Sequence, residues 1–207
     1  VAVGTAILMQ VLGVDAATIA IEDNKPEDIS HMREVVASLA KLSPKFAGIE
    51  ILPMMTKYPE GGEKQLIDAV MHRQVASGGL PISVGAVVQN VATALAVYDA
   101  VQKNKPIVDN SVTVTGECFP KQANLLVRVG TPLRFIIDSL GGVPESASKV
   151  ISGGPMMGKA VANLDAATLK GTSSLLFLTP EQTARKEPSA CIRCGRCADA
   201  CPMGLEP

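Results

Sequence analysis

Four cysteines near the end of the sequence are the residues best suited to chemistry: Cys191, Cys194, Cys197 and Cys201, in the run CIRCGRCADACP. In the spacing C-x₂-C-x₂-C-x₃-C-P, three closely set thiolates hold one [4Fe–4S] cube, and in two-cluster proteins the fourth ligates the other cube. Gly195 lets the backbone turn tightly with φ > 0, and Pro202 redirects the chain after Cys201. Such a run normally comes in pairs and a second is absent, so a partner run is expected downstream in a longer chain. A structural zinc site usually draws on two separated cysteine pairs, and a disulfide framework suits small secreted chains; both match the spacing less well. The fifth cysteine, Cys118, lies far away in a β-like segment and reads as a small buried or edge residue.

Two glycine-rich stretches are further candidates. In KYPEGGEKQLI, Gly61 and Gly62 precede a helix start, where free backbone N–H groups could face a phosphate or a flavin edge; a plain capped loop is the alternative. SGGPMMGKA nearly spells the phosphate-binding loop G-x₄-G-K-[ST], but Ala160 stands where the Mg²⁺-binding hydroxyl belongs and Pro155 removes a backbone donor. Nucleoside triphosphate hydrolysis is therefore not expected. His31 and His72 have no Cys or His at ligand spacing and read as surface or capping residues. Met54 with Met55, and Met156 with Met157, read as fillers of a core or an interface. No G-x-S-x-G elbow is present, so hydrolytic machinery is not visible.

The elements that must carry these residues follow from periodicity. With 207 residues, 47% of them hydrophobic, the chain can build one or two cores. The net charge of −1 is scattered, which gives no nucleic-acid footprint, and no apolar run is long enough to span a bilayer. VAVGTAILMQVLGV reads as the middle of a helix rather than a start or a signal peptide, so the sequence is expected to be a piece of something longer, soluble and intracellular.

That helix, about Val1 to Leu12, closes at Gly13 and is followed by a strand in ATIAIED. Asn24 and Glu27 form a capping-box-like start to a helix with Ile29, Met32, Val35, Val36 and Leu39 at helical spacing. GIEILPM is a second strand, which completes a parallel βαβ unit. The alternation continues with EKQLIDAVMHR as helix, VGAVV as strand, and QNVATALAVYDAVQKN as a helix whose inner stripe carries Leu95, Tyr98 and Val101 or Val91. NKPIVDN, residues 104–110, reads as a domain boundary. Beyond it, SVTVTGECF and NLLVRVG form a hairpin, Thr131 and Pro132 open a helix that Gly141 closes, and KVISGG returns as a strand, the outline of a β-grasp module. The expected fold class is α/β: a partial Rossmann-like parallel-sheet domain over residues 1–105, a small β-grasp (soluble-ligand-binding) domain over 106–180, and a C-terminal iron–sulfur motif over 181–207.

KYPEGGEKQLI, SGGLP, VGAVVQNVATALAVYDAV, VTVTGECFPKQANLLVRVGTPL, VISGGPMMG, KGTSSLL and SACIRCGRCADACPMGLEP together resemble the C-subunit of the Rnf electron-transport complex, over essentially the whole chain. The resemblance implies a peripheral electron-transfer subunit of a membrane-bound ferredoxin:NAD⁺ oxidoreductase that couples redox chemistry to ion translocation. It implies FMN, NAD(H) and two [4Fe–4S] clusters in the intact protein. The implied partners are the other Rnf subunits and ferredoxin-linked carriers, and the implied location is the cytoplasmic face of the bacterial cell membrane. A cobalamin-reductase relative shares the layout; a β-grasp module that binds a ligand or partner without redox work, with SGGPMMG as its contact, is the other alternative.

The chain also resembles, more distantly, the flavin- and NADH-binding subunit of respiratory complex I. That likeness assigns Gly62 and Glu63 to a glycine–glutamate turn before a helix, and Gln89, Asn90 and Thr93 to a strand-to-helix turn, both lining the flavin pocket. Gln89 and Asn90 would then sit at the carboxyl end of a parallel strand, where open α/β sheets bind ligands. Lys64 departs from the relative, which has a second acidic residue there. The glycine-rich loop that covers flavin phosphates in both families is not among these residues and is expected before Val1.

Overall fold

Helix α1 (Ala2–Leu12) is apolar almost throughout and ends as its sequence demands, at Gly13 in the left-handed conformation (φ 66°), whose N–H bonds the Met9 carbonyl. The structure is a computed structural model that describes residues 1–185, 187–201 and 204–205. Pro202, assigned above to a redirection of the chain, lies outside the described residues. The chain divides into two units, Val1–Val108 and Asp109–Pro207.

In the first unit α1 meets α4 (Val91–Lys103) at their smallest residues. A Cβ placed on Gly4 would stand 1.8 Å from the Ala94 carbonyl oxygen, so the missing side chain is what lets the two backbones touch. The contact corrects the expected inner stripe of α4. Leu95, Val101 and Val91 are 46%, 60% and 52% exposed, while Ala94 is buried. A backbone-to-backbone approach selects the smallest residue on the helix and leaves the larger ones standing off on either side. Gly4→Ala is therefore expected to destabilise the protein by about 1–3 kcal/mol through overpacking. In an unconstrained helix the same change helps by about 1 kcal/mol. Thermal unfolding of the two proteins side by side reads the sign, and a raised melting temperature would contradict the close crossing.

Strand β1 (Ala17–Glu22), helix α2 (Pro26–Leu42) and strand β2 (Ile49–Met54) form the βαβ unit, with β1 and β2 parallel from Ala17↔Ile49 to Glu22↔Met54. Ile29 and Val36 of α2 are buried with Ile19, Ile49 and Ile51, and Met32, Val35 and Leu39 pack around them. Each such side chain contributes about 1.5–3 kcal/mol when removed from water. The expected capping box is absent. Pro26 sets the first helical position, so the N-cap is Lys25, whose side chain has no acceptor for the N2 or N3 N–H, and Asn24 stands one residue too early to cap. Asn24 instead accepts a bond from Lys25 Nζ at 3.1 Å.

Helix α3 (Glu63–Met71) follows, but the strand expected at VGAVV does not form. Pro81–Val84 is a 3₁₀ turn closed by Gly85 at φ 71°, and residues 86–90 run irregularly into α4. Pro81 favours the turn, and a left-handed residue cannot sit inside an extended ladder. The parallel sheet of this unit consists of β1 and β2.

In the second unit, strands β3 (Asp109–Thr115) and β4 (Ala123–Arg128) form the expected antiparallel hairpin, with Val112 opposite Leu125. Helix α5 (Leu133–Ser139) has Pro132 as N-cap and Leu140 as C-cap, one residue before the expected Gly141. Strand β5 (Lys149–Ser152) pairs with the short β6 (Lys159–Ala160) and with β7 (Ser174–Leu178). The sheet order is β4-β3-β7-β5-β6, and β7 is inserted between β3, to which it is parallel, and β5, to which it is antiparallel. The strands named from sequence end at β5; β7 lies inside the expected bounds of 106–180 but is the strand that reading left out. Val112, Val114, Ile137, Leu175 and Phe177 are fully buried, and Phe119 stacks on Phe177 with centroids 4.5 Å apart. Gly116 passes so close to β7 that a Cβ would meet the Phe177 carbonyl oxygen at 2.2 Å. Short helices α6 (Pro180–Thr183) and α7 (Arg196–Ala200) follow.

Candidate functional site

Cys191 and Cys194 lie in the irregular segment before α7, Cys197 in α7, and Cys201 is its C-cap. Gly195 takes φ 75° as the N-cap of α7, the positive φ its position in the run requires, and Arg193 takes φ 54° just before it. Cys191, Cys194 and Cys197 are exposed free thiols and Cys201 is half-buried. The Arg193 N–H points at Cys191 Sγ (3.3 Å) and the Leu205 N–H at Cys201 Sγ (3.4 Å). Among the described residues no three Cys, His, Asp or Glu converge on one point. The donor set itself suits an iron–sulfur cube: four soft sulfurs at the required spacing, none of them in a disulfide.

The other candidates stand at two helix starts in the first unit. Gly62 is the N-cap of α3, which has no side-chain cap; its own N–H is taken by the Pro59 carbonyl at 2.7 Å. A Cβ on Gly61 would meet nothing within 4 Å, so this turn leaves open space on one side. Glu63 is exposed at the first helical position. Asn90 is the N-cap of α4, with Oδ1 accepting the Ala92 N–H at 2.8 Å, and this leaves its amide NH₂ free to donate. Gln89 and Thr93 are exposed beside it. These residues sit at the end of an irregular segment, not at the carboxyl end of a strand. Among the described residues no hydrogen bond joins the two groups.

The connection between the two helix starts is held by cations. Lys64 Nζ donates to the Ala76 carbonyl (3.1 Å) and Arg73 Nη1 to the Val84 carbonyl (2.8 Å). Lys64, the departure noted in the sequence, thus serves the loop. The set as a whole offers backbone N–H groups, an amide donor, a hydroxyl and one carboxylate, which suits a ligand with a phosphate, hydroxyls and an amide-like ring edge. FMN has all three, so the residues present fit it.

A contact that the sequence did not suggest lies at the carboxyl ends of β1 and β2. Asp23 Oδ1 accepts both the Thr56 N–H (3.0 Å) and the Thr56 hydroxyl (2.8 Å), and the Asp23 N–H bonds the Met54 carbonyl at 2.7 Å. The hydroxyl first, then the amide of Thr56, hold the Asp23 carboxyl below the usual carboxylate range. An acidic residue closing one parallel strand and a threonine just past the next is the only signal sequence reading could have used.

The remaining candidates stay structural. His31 is exposed on α2, and His72 is the left-handed C-cap of α3. Cys118 sits in the turn after β3 rather than in a strand, packed against the core of the second unit. Met55, Met156 and Met157 are exposed, which removes the core reading for them. SGGPMMGKA forms the β5–β6 turn, and its Pro155 borders a cavity of about 400 Å³ lined also by Gln122 and Phe177. Among the described residues no helix is long and apolar enough to cross a membrane.

Comparison with known proteins gives three family matches in chain order. Residues 1–99 match the Nuo51 FMN-binding domain, 111–160 the SLBB domain, and 184–205 the 4Fe-4S binding domain. The chain is 44% identical over 207 residues to the C-subunit of the proton-translocating ferredoxin:NAD(+) oxidoreductase complex of Clostridium ljungdahlii, a match over 100% of this chain and 44% of that protein. It is 38% identical to the Na(+)-translocating counterpart of Acetobacterium woodii, again over the full chain and 45% of the relative. With the C-subunit of the ion-translocating oxidoreductase complex of Salmonella arizonae it shares 41% over 205 residues, 99% of this chain and 29% of that one. The chain thus spans less than half the length of each of these relatives.

Proposed function

The chain is a homologue of the C-subunit of the Rnf-type ion-translocating ferredoxin:NAD(+) oxidoreductases, and from that premise we propose that it is the electron-transfer part of such a subunit. It holds FMN in its first unit and iron–sulfur clusters on its cysteine run, and passes electrons between NAD(H) and the clusters. The observation that carries this reading is the presence, in one chain, of an FMN-binding-domain match at one end and a four-cysteine run inside a 4Fe-4S match at the other. Bound FMN supplies the exchange between two-electron hydride chemistry and one-electron steps, and the clusters supply the one-electron path.

The chain's own residues bind and orient. Gly61 and the first turn of α3 present backbone donors, Gly62 closes the turn onto the Pro59 carbonyl, Glu63 accepts from hydroxyls, and Asn90 donates its amide while holding α4 in place through Ala92. Gln89 and Thr93 complete the polar edge. Cys191, Cys194 and Cys197 hold one cube and Cys201 reaches a second. Other subunits of the same complex and ferredoxin-linked carriers are the partners, and the protein sits peripherally on the cytoplasmic face of the membrane.

The test uses the full-length gene product. Anaerobic NADH is expected to bleach flavin and cluster absorbance together. In the same protein, Asn90→Asp keeps the helix-capping oxygen and loses the amide donor. It is expected to weaken FMN binding about tenfold, or about 1.4 kcal/mol, at unchanged melting temperature. Clusters that only a chemical reductant bleaches would overturn the function, and parent-like FMN affinity in Asn90→Asp would remove Asn90 from the pocket.

A further inference from the structure

A flavin-holding turn works only if its glycines are held in one place before the ligand arrives, since ordering a loose loop on binding subtracts from affinity. The turn at Gly61 and Gly62 lies on the segment between β2 and α3, which is exposed over residues 55–58. Its far end is fixed by α3. Within it, the Glu60 N–H bonds the Lys57 carbonyl and the Gly62 N–H the Pro59 carbonyl, both short-range contacts that leave the segment free to swing as a body. One long-range side-chain contact ties its near end to the sheet: both Thr56 donors converge on Asp23 Oδ1, thirty-three residues earlier. The Asp23 N–H in turn bonds the Met54 carbonyl, so the carboxylate stands on the end of the parallel ladder rather than on a loop of its own.

We propose that Asp23 is a positioning residue for the flavin-holding turn, acting through Thr56 to set where the segment leaves β2 and hence where Gly61, Gly62 and Glu63 stand. The proposal rests on the assignment of that turn to FMN. Asp23 lies at the carboxyl end of a parallel strand, where open α/β sheets present ligands, so a direct contact with ligand is the competing role. Chemistry separates the two. Positioning needs one acceptor oxygen and no charge, which an asparagine supplies. Direct recognition by a carboxylate needs the charge. The lowered carboxyl pKa agrees with an oxygen already engaged by two donors.

Four variants of the full-length protein test this with two readouts, FMN affinity by fluorescence quenching and amide exchange of residues 57–62 without flavin. Asp23→Ala is expected to raise the FMN Kd about tenfold, from two lost bonds of modest strength each, and to speed exchange in the segment. Thr56→Val, which keeps the amide donor, is expected to fall between parent and Asp23→Ala. Asp23→Asn and Thr56→Ser, which keep both bonds, are expected to stay within about twofold of the parent. Faster exchange in Asp23→Ala with unchanged FMN affinity would show a clasp that does not serve the flavin, and would overturn the proposal. An Asp23→Asn variant as weak as Asp23→Ala would assign the carboxylate to the ligand and overturn it equally. If neither Asp23→Ala nor Asn90→Asp altered FMN binding, the flavin assignment itself would fall, and that result is distinct because the exchange readout does not depend on flavin.

Discussion

Replacing Cys194 by serine is expected to abolish the cluster on this run. With the protein reconstituted anaerobically with iron and sulfide, the broad thiolate-to-iron absorption in the visible disappears in Cys194→Ser, and the iron bound by Cys191, Cys194 and Cys197 falls to essentially none. Within this sequence the cysteine outside the run, Cys118, is packed against the core of the sheet unit and does not replace the middle thiolate. Cys118→Ser is therefore expected to leave the spectrum unchanged. The exposure of Cys191, Cys194 and Cys197 carries a second consequence: without a cluster they are open to oxidation, and the apoprotein should lose free thiols in air faster at these positions than at Cys118. Iron content that survives Cys194→Ser, or drops in Cys118→Ser, would mean the ligands have been misassigned.

The largest effect on folding is expected from Phe177→Ala. Phe177 is fully buried in β7, stacked on Phe119 at 4.5 Å, and its carbonyl lies against Gly116, so the site is walled by backbone that cannot collapse into a cavity. Removing a phenyl ring from such a site costs about 3–5 kcal/mol. A domain has about 5–15 kcal/mol in all, so the loss takes a large share of it. At a urea slope of about 2 kcal/mol per molar, the midpoint of the second unit should drop by roughly 2 M. Phe135→Ala is the control, since Phe135 is 69% exposed on α5 and should shift the midpoint little. Equal shifts for the two phenylalanines would deny β7 its central place.

What could be read in the sequence divides along a physical line. The cysteine run, Gly13 and the βαβ unit were legible because each depends on short-range rules: ligand spacing, a left-handed cap, and the periods of helix and strand. The strand β7 was not, although SLLFL alternates buried and half-buried residues, because a five-residue apolar run has no partner until the sheet is assembled. VGAVV misled for the converse reason, as its composition is that of a strand while Pro81 just before it and Gly85 within it dictate a turn. The α4 stripe failed because Gly4, far away in sequence, set which face of the helix could be approached. Of the candidate site, residue types at the two helix starts were visible, but the Asp23–Thr56 clasp joins chain positions that no local pattern relates.

The place of β7 also bears on the order in which the protein is made. During synthesis the β3–β4 hairpin, α5 and β5 all emerge before the strand that belongs between them, so the nascent chain carries two unpaired strand edges until Leu178 has left the ribosome. The four cysteines of the run come after that strand. By the time Cys191 is exposed to iron-delivering machinery, the residues of the whole sheet are already available to close, and the thiolates emerge next to a folded neighbour rather than an open one. A translational pause placed before β7 would prolong the aggregation-prone stage, whereas one placed after it would prolong only the wait for metal.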